Sequence, residues 1–115
     1  MRPLSIIVAA ALAAWASQAV AADTDTGRLA PGQDGGALFN ARCAVCHAAG
    51  GMGANVLAGR LGPEKSLLAN RTDLNADYVQ YVARHGLGAM PRLSRVEVTD
   101  PELKAIAAYL TRNTK

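Results

Sequence analysis

Apolar positions recur along this chain at helical spacing and nowhere in strand-like alternation. The clearest stripe lies near the C-terminus, where Leu103, Ile106, Ala107 and Leu110 are three and four residues apart, one face of a helix. Its start is marked by Thr99-x-x-Glu102, a pairing that satisfies backbone N–H groups from both ends of the motif. Pro101 falls in the first turn, where a missing N–H is tolerated. A second stretch, 76–85, carries Tyr78, Tyr81, Val82 and His85 at i, i+3, i+4 and i+7, and these four are expected on its inward face. Asn75 is a capping residue before it and Gly86 a stop after it. Asp34 is placed to cap a helix over 35–43 that presents Leu38 and Phe39, and Pro63 opens a short helix over 63–70. Between 47 and 62 the pattern is interrupted by Gly50, Gly51, Gly53, Gly59 and Gly62, which predicts a loop whose backbone lies close to a ligand. Residues 87–98 show no period and are predicted irregular. With no alternating strand, no hairpin turn and no internal repeat, the fold class is all-α.

The N-terminus reads differently. Met1-Arg2-Pro3 is followed by an unbroken apolar run from Ile6 to Ala16 and then by Ala19-Val20-Ala21. A membrane-spanning helix needs about 20 apolar residues, so the run is too short. The three-part pattern is that of an export signal cleaved after a small residue. The expected organisation is a signal peptide over 1–21, a flexible polar leader over 22–34 and one folded domain over 35–115. Export places the product in the periplasm, with no stable membrane insertion after cleavage.

Composition narrows the function. Half of the 115 residues are apolar but only 4% are aromatic, and a core this small profits from a staple. There is little room for a catalytic domain with its own cofactor-binding fold. The net charge of +3 comes without any run of Lys or Arg, so there is no nucleic-acid footprint.

The chain has two cysteines, both in Cys43-Ala44-Val45-Cys46-His47. C-x-x-C-H is the covalent attachment motif of c-type haem. Two thiols three residues apart on a helical turn reach the two vinyl groups on one porphyrin edge, and the following His47 is then held where its imidazole ligates iron as the proximal ligand. Competing readings are weaker. A redox C-x-x-C expects a βαβ context, a structural disulfide leaves His47 unexplained, and tetrahedral zinc needs two further ligands. For the distal iron position the candidates are Met52, His85 and Met90. Met52 is too near His47 to wrap round the ring. Met90 lies beyond a helix, on an irregular segment stiffened by Pro91, and is favoured; a lone methionine is otherwise core filler.

Over most of residues 35–111 the chain resembles a class I (monohaem) cytochrome c. Gly35 and Phe39 stand eight and four residues before Cys43, as in that family's N-terminal helix, and Ile106 and Tyr109 match the paired positions on its C-terminal helix. The resemblance implies a small cytochrome c fold of three to four helices wrapped around one covalent haem c, with these two helices crossing at Gly35. The stretch Val79–Pro91, after Leu74-x-x-Asp77-Tyr78, resembles small bacterial periplasmic cytochromes that serve dehydrogenases, such as the cytochrome subunit of p-cresol methylhydroxylase-type flavocytochromes. Gly53-Ala54-Asn55-Val56 replaces the family's Gly-Pro-Asn-Leu, so the Ala54 carbonyl is the expected acceptor for the second N–H of His47. Arg60 matches an arginine position close to a haem propionate.

The expected function is periplasmic electron transfer through a His47/Met90-ligated haem, not enzymatic catalysis. The expected partners are a flavoprotein or other dehydrogenase as donor and a downstream cytochrome or oxidase as acceptor. The haem pocket is expected to be lined by Phe39, Val56, Leu67, Val82, Leu87 and Leu110, with Arg42, Arg92 and Arg95 ringing the exposed edge and steering an acidic partner. Two alternatives stay open: a haem enzyme or gas sensor with an open distal site, and a bis-histidine low-potential carrier using His85.

Overall fold

A computed structural model describes residues 34–115; the expected signal over 1–21 and all of the leader but Asp34 lie outside the described residues. Five α-helices follow one another: α1 (Gly35–Arg42), the single turn α2 (Ala44–His47), α3 (Met52–Leu61), α4 (Ala76–His85) and α5 (Asp100–Leu110). Two 3₁₀ turns, Pro63–Lys65 and Leu68–Asn70, connect α3 to α4. There is no β-strand among the described residues, only an isolated bridge between Leu87 and Met90.

The boundaries follow from local chemistry. Asp34 Oδ1 accepts from the Ala37 N–H at 2.8 Å and starts α1. Asn75 Oδ1 accepts from the N–H groups of Asp77 and Tyr78 and starts α4. Gly86 ends α4 with φ +78°, a left-handed conformation that suits glycine. At α5 the capping box is complete, with the Thr99 N–H donating to Glu102 Oε2 at 2.8 Å and the Glu102 N–H donating to Thr99 Oγ1 at 3.4 Å.

Packing converts these helices into a frame. α1 crosses α5 so closely that a Cβ on Gly35 would stand 2.1 Å from the Ala105 carbonyl oxygen. Beside this contact the rings of Phe39 and Tyr109 lie 5.8 Å apart, and Arg42 of α1 pairs with Glu102 of α5 at 3.3 Å. The core is formed by Leu38, Phe39, Leu74, Val98, Leu103, Ile106 and Leu110, with Ala83 on the inner side of α4.

Three expectations are corrected. The glycine-rich stretch is not a loop throughout, because 52–61 forms α3. Each interior glycine costs about 1 kcal/mol of helix propensity, but here the helix lies against the haem-attachment turn. A Cβ at Gly53 would be 2.9 Å from the Cys46 carbonyl and 3.0 Å from His47 Cε1, so the missing side chain is what permits that packing. The helix over 63–70 is two separate 3₁₀ turns. On α4 the inward face is Val79, Val82 and Ala83, whereas Tyr78 and Tyr81 are 51% and 60% exposed and His85 is exposed. Of the expected stripe, Val82 is inward and Tyr78 borders an apolar cavity beside Val79, whereas Tyr81 and His85 do not line it and stack on each other at the surface.

Candidate haem site

α1 hands over directly to the attachment motif, with the Cys43 N–H closing the last bond of α1 on the Phe39 carbonyl at 2.8 Å. The turn α2 then presents Cys46 and His47. Both cysteines are free and half-buried. They line an apolar cavity of about 400 Å³, within the size range of ligand pockets. Its walls are the attachment motif, α3 through Val56 and Arg60, α4 through Val79 and Val82, and the turn carrying Leu87 and Met90. The floor is the core itself, at Leu103, Ile106 and Leu110.

The fold therefore brings Cys43, Cys46, His47, Arg60 and Met90 to one cavity although they span almost fifty positions of the chain. Burial, and secondarily the neighbouring Cys46, push the Cys43 thiol up from its ordinary range. This is opposite to the lowered value of a redox-active C-x-x-C. Burial pushes the His47 imidazole down, which favours the neutral, ligating form. His47 Nδ1 is buried and has no hydrogen-bond partner. The expected Ala54 carbonyl is not its acceptor: Ala54 lies inside α3, where carbonyls serve the helical ladder. The Nδ1–Cε1 edge abuts Gly53 instead.

Met90 is half-buried in a tight turn in which the Leu87 N–H donates to the Met90 carbonyl at 3.1 Å and the Met90 N–H donates to the Leu87 carbonyl at 3.0 Å. Met52 is 67% exposed at the start of α3 and sits at the cavity rim. His85 is not brought to the cavity. Its Nδ1 lies 2.8 Å from the Tyr81 carbonyl and its ring stacks on Tyr81 at 4.1 Å. Among the described residues no group of three or more His, Cys, Asp or Glu is placed to hold a metal ion.

Two of the expected lining residues differ. Phe39 is taken up by the contact with Tyr109 and Leu67 is not among the lining residues, while Val56, Val82, Leu87 and Leu110 do line the cavity. Arg71 was not anticipated. It lines the cavity with its side chain 13% exposed, and its Nε and Nη2 donate to the Asp73 carboxylate at 2.8 and 3.1 Å. The Arg-x-Asp spacing is its one trace in the sequence. Of the edge arginines, Arg42 pairs with Glu102 and Arg95 with Asp100, while Arg92 makes no ion pair among the described residues.

Two free thiols, a half-buried imidazole and a thioether around an apolar cavity form a donor set that fits a covalently held iron porphyrin. Comparison with known proteins agrees. The family model for cytochrome c oxidase, cbb3-type, subunit III matches residues 30–110, and the chain belongs to this family of class I monohaem c-type cytochromes, whose members bind one covalent haem c. It is 36% identical over 80 residues to cytochrome c6 of Leptolyngbya boryana, a match covering 66% of this chain and 85% of that protein. It is 31% identical over 77 residues to cytochrome c6 of a Synechococcus strain, covering 67% of this chain and 65% of that protein. No solved structure matches significantly. The family identifies the chain as a haem c electron carrier, and among the described residues no helix is long and apolar enough to cross a membrane.

Proposed function

We propose that the protein is a periplasmic electron carrier, exported by cleavage after Ala21, that takes electrons from a dehydrogenase and passes them to a downstream cytochrome or oxidase. The observation that carries this reading is the convergence of Cys43, Cys46, His47 and Met90 on one apolar cavity. There Cys43 and Cys46 would hold the haem as thioethers, and His47 and Met90 would be the ligands to its iron. The haem supplies a one-electron couple between ferrous and ferric iron.

The protein's part is to hold and insulate. Gly53 lets α3 lie on the edge of the His47 ring and sets its orientation. Val56, Val82 and Leu87 exclude water and disfavour extra positive charge in the cavity, which raises the reduction potential. A thioether at Met90 acts in the same direction. Arg60 and Arg71, both on the cavity wall, supply cationic partners for the haem carboxylates. Arg92 and its neighbours contribute a positive field that favours an acidic face on the partner. The resemblance of the Val79–Pro91 stretch favours a flavoprotein dehydrogenase of the p-cresol methylhydroxylase type as donor. The position of His85 outside the cavity weighs against the bis-histidine alternative.

The test is made on protein exported in a host with haem-attachment machinery. The added mass survives acid and organic extraction, and the oxidised protein shows the weak far-red band of methionine–iron ligation. Met90→Ala abolishes that band and lowers the potential. Both unchanged in the variant refutes the ligand assignment, and a high-spin wild-type spectrum favours the open-site alternative.

A further inference from the structure

Met90 lies on the long stretch between His85 and Asp100 that has no helix of its own. Irregular backbone beside a cavity opens locally at low cost unless something outside it holds it down. The Leu87–Met90 turn does not do so, because its two bonds are internal and the turn moves as a unit. Beside the burial of Val98 in the core and the packing of Leu93 against it, two sets of hydrogen bonds tie the segment to α4. The Leu93 N–H donates to the Ala83 carbonyl of α4 at 2.7 Å, and the Arg84 side chain does the rest.

Arg84 is largely buried, its side chain 15% exposed. Nη1 donates to the carbonyls of Leu93 at 3.2 Å and Ser94 at 3.1 Å. Nη2 donates to the Val98 carbonyl at 2.9 Å and to Asp100 Oδ1 at 2.7 Å. All four terminal N–H groups are thus spent on one segment, from three residues after Met90 to the first residue of α5. Three of the four acceptors are backbone carbonyls, so the contact specifies the path of the chain and is more than an ion pair. Asp100 also has a second cation, Arg95, at 2.8 Å.

We propose that Arg84 is the positioning residue for Met90: its guanidinium clamps residues 93–100 to α4 and so keeps the methionine turn closed over the cavity. This rests on the reading of Met90 as the distal ligand. A lysine at this position keeps the charge and the Asp100 partner, but a single ammonium nitrogen cannot span the carbonyls on both sides of the fork.

The experiment uses the haem-loaded protein and added imidazole, which captures molecules whose distal side has opened, read as loss of the far-red band. Arg84→Lys raises the apparent affinity for imidazole about tenfold or more, the effect of one or two lost charge-assisted hydrogen bonds, while the urea midpoint of the helical signal moves little. Asp100→Asn, which leaves the three carbonyl bonds, changes imidazole affinity by no more than about twofold, the ion pair being the exposed part of the contact. An imidazole affinity unchanged in folded Arg84→Lys overturns the clamp while leaving Met90 as ligand intact. An Asp100→Asn effect as large as that of Arg84→Lys overturns it too, because the ion pair would then be what matters. A wild-type protein without the far-red band removes the ligand reading and the clamp with it. Hydrogen exchange of the wild-type Leu93 amide decides the matter should Arg84→Lys not fold: protection equal to that of the α4 amides is expected, and exchange orders of magnitude faster than α4 overturns the proposal.

Discussion

Gly35→Ala tests the helix crossing on which the cavity floor depends. A carbon–oxygen contact settles at about 3.3 Å, whereas the new methyl would stand 2.1 Å from the Ala105 carbonyl oxygen and 2.8 Å from Tyr109 Cβ. Both obstacles belong to the backbone or lie next to it, so α1 must withdraw by roughly 1 Å, and gaps of that size forfeit about a quarter to a half of the dispersion attraction across a seam. Leu38, Phe39, Ile106 and Tyr109 lie along or beside this crossing, and each such side chain is worth about 1.5–3 kcal/mol when buried. Losing a quarter of that sum costs about 2 kcal/mol, and better helix propensity returns at most about 1 kcal/mol. The net expectation is a destabilisation of about 1–2 kcal/mol, within the usual range for overpacking. Two other glycines calibrate it. A Cβ at Gly36 meets the edge of the Tyr109 ring at 3.1 Å and the Asp34 Oδ1 at 3.3 Å, both side-chain atoms that can give by a few tenths of an ångström, and one at Gly59 meets nothing within 4 Å. Gly36→Ala is therefore close to neutral, and Gly59→Ala stabilises by about 0.5–1 kcal/mol. Urea unfolding of the haem-loaded proteins, followed by far-ultraviolet circular dichroism and by the haem absorbance, gives the ranking. A Gly35→Ala protein as stable as wild type, or an order other than Gly59, Gly36, Gly35 from most to least stable, refutes the reasoning.

Gly86→Ala forces an alanine to φ +78° and brings its Cβ within 2.6 Å of the Met90 carbonyl; beyond about 1–2 kcal/mol of left-handed strain, the far-red band should disappear at a lower temperature than in wild type. Thr99→Ala removes the capping oxygen of α5 and should cost about 1 kcal/mol in urea unfolding. The Glu102 carboxyl is held below its ordinary range chiefly by the Thr99 backbone N–H, against an opposing effect of burial, with further help from Arg42. Because its folded value is the lower one, its stabilisation is present in full above the ordinary carboxylate range and is lost as pH falls through the folded value. The stability difference between wild type and Glu102→Gln should accordingly be widest at neutral pH and close in acid; a gap that is constant or widens in acid contradicts the assignment.

Legibility differed from element to element for physical reasons. α1, α4 and α5 were readable because each carries a local N-terminal capping group, Asp34, Asn75 and Thr99, that acts within a few residues of chain, and α4 also ends on Gly86. α3 was not, since glycine disfavours a helix locally and the compensating contact of Gly53 with Cys46 and His47 involves atoms that only meet after folding. The facing of α4 was ambiguous for a related reason: 76–85 contains two apolar stripes, and which one is buried depends on what lies beside it. At the site, the attachment motif was evident from spacing alone. Arg71 was invisible because only the fold turns it to the cavity and sets Asp73 against it.

By itself the amino-acid sequence determined the chemistry of this protein: the thiol pair with its adjacent imidazole, the all-α class and the capped starts of α1, α4 and α5, all of which are set by groups within one or two turns of each other. Only the tertiary structure decided that Met90, Arg60 and Arg71 share a cavity with that motif and that His85 does not, because contacts across tens of residues depend on how closely α1 and α5 approach and on the path of the chain after Met90. Spacing along a helix records the first kind of information, and steric fit between distant segments records the second.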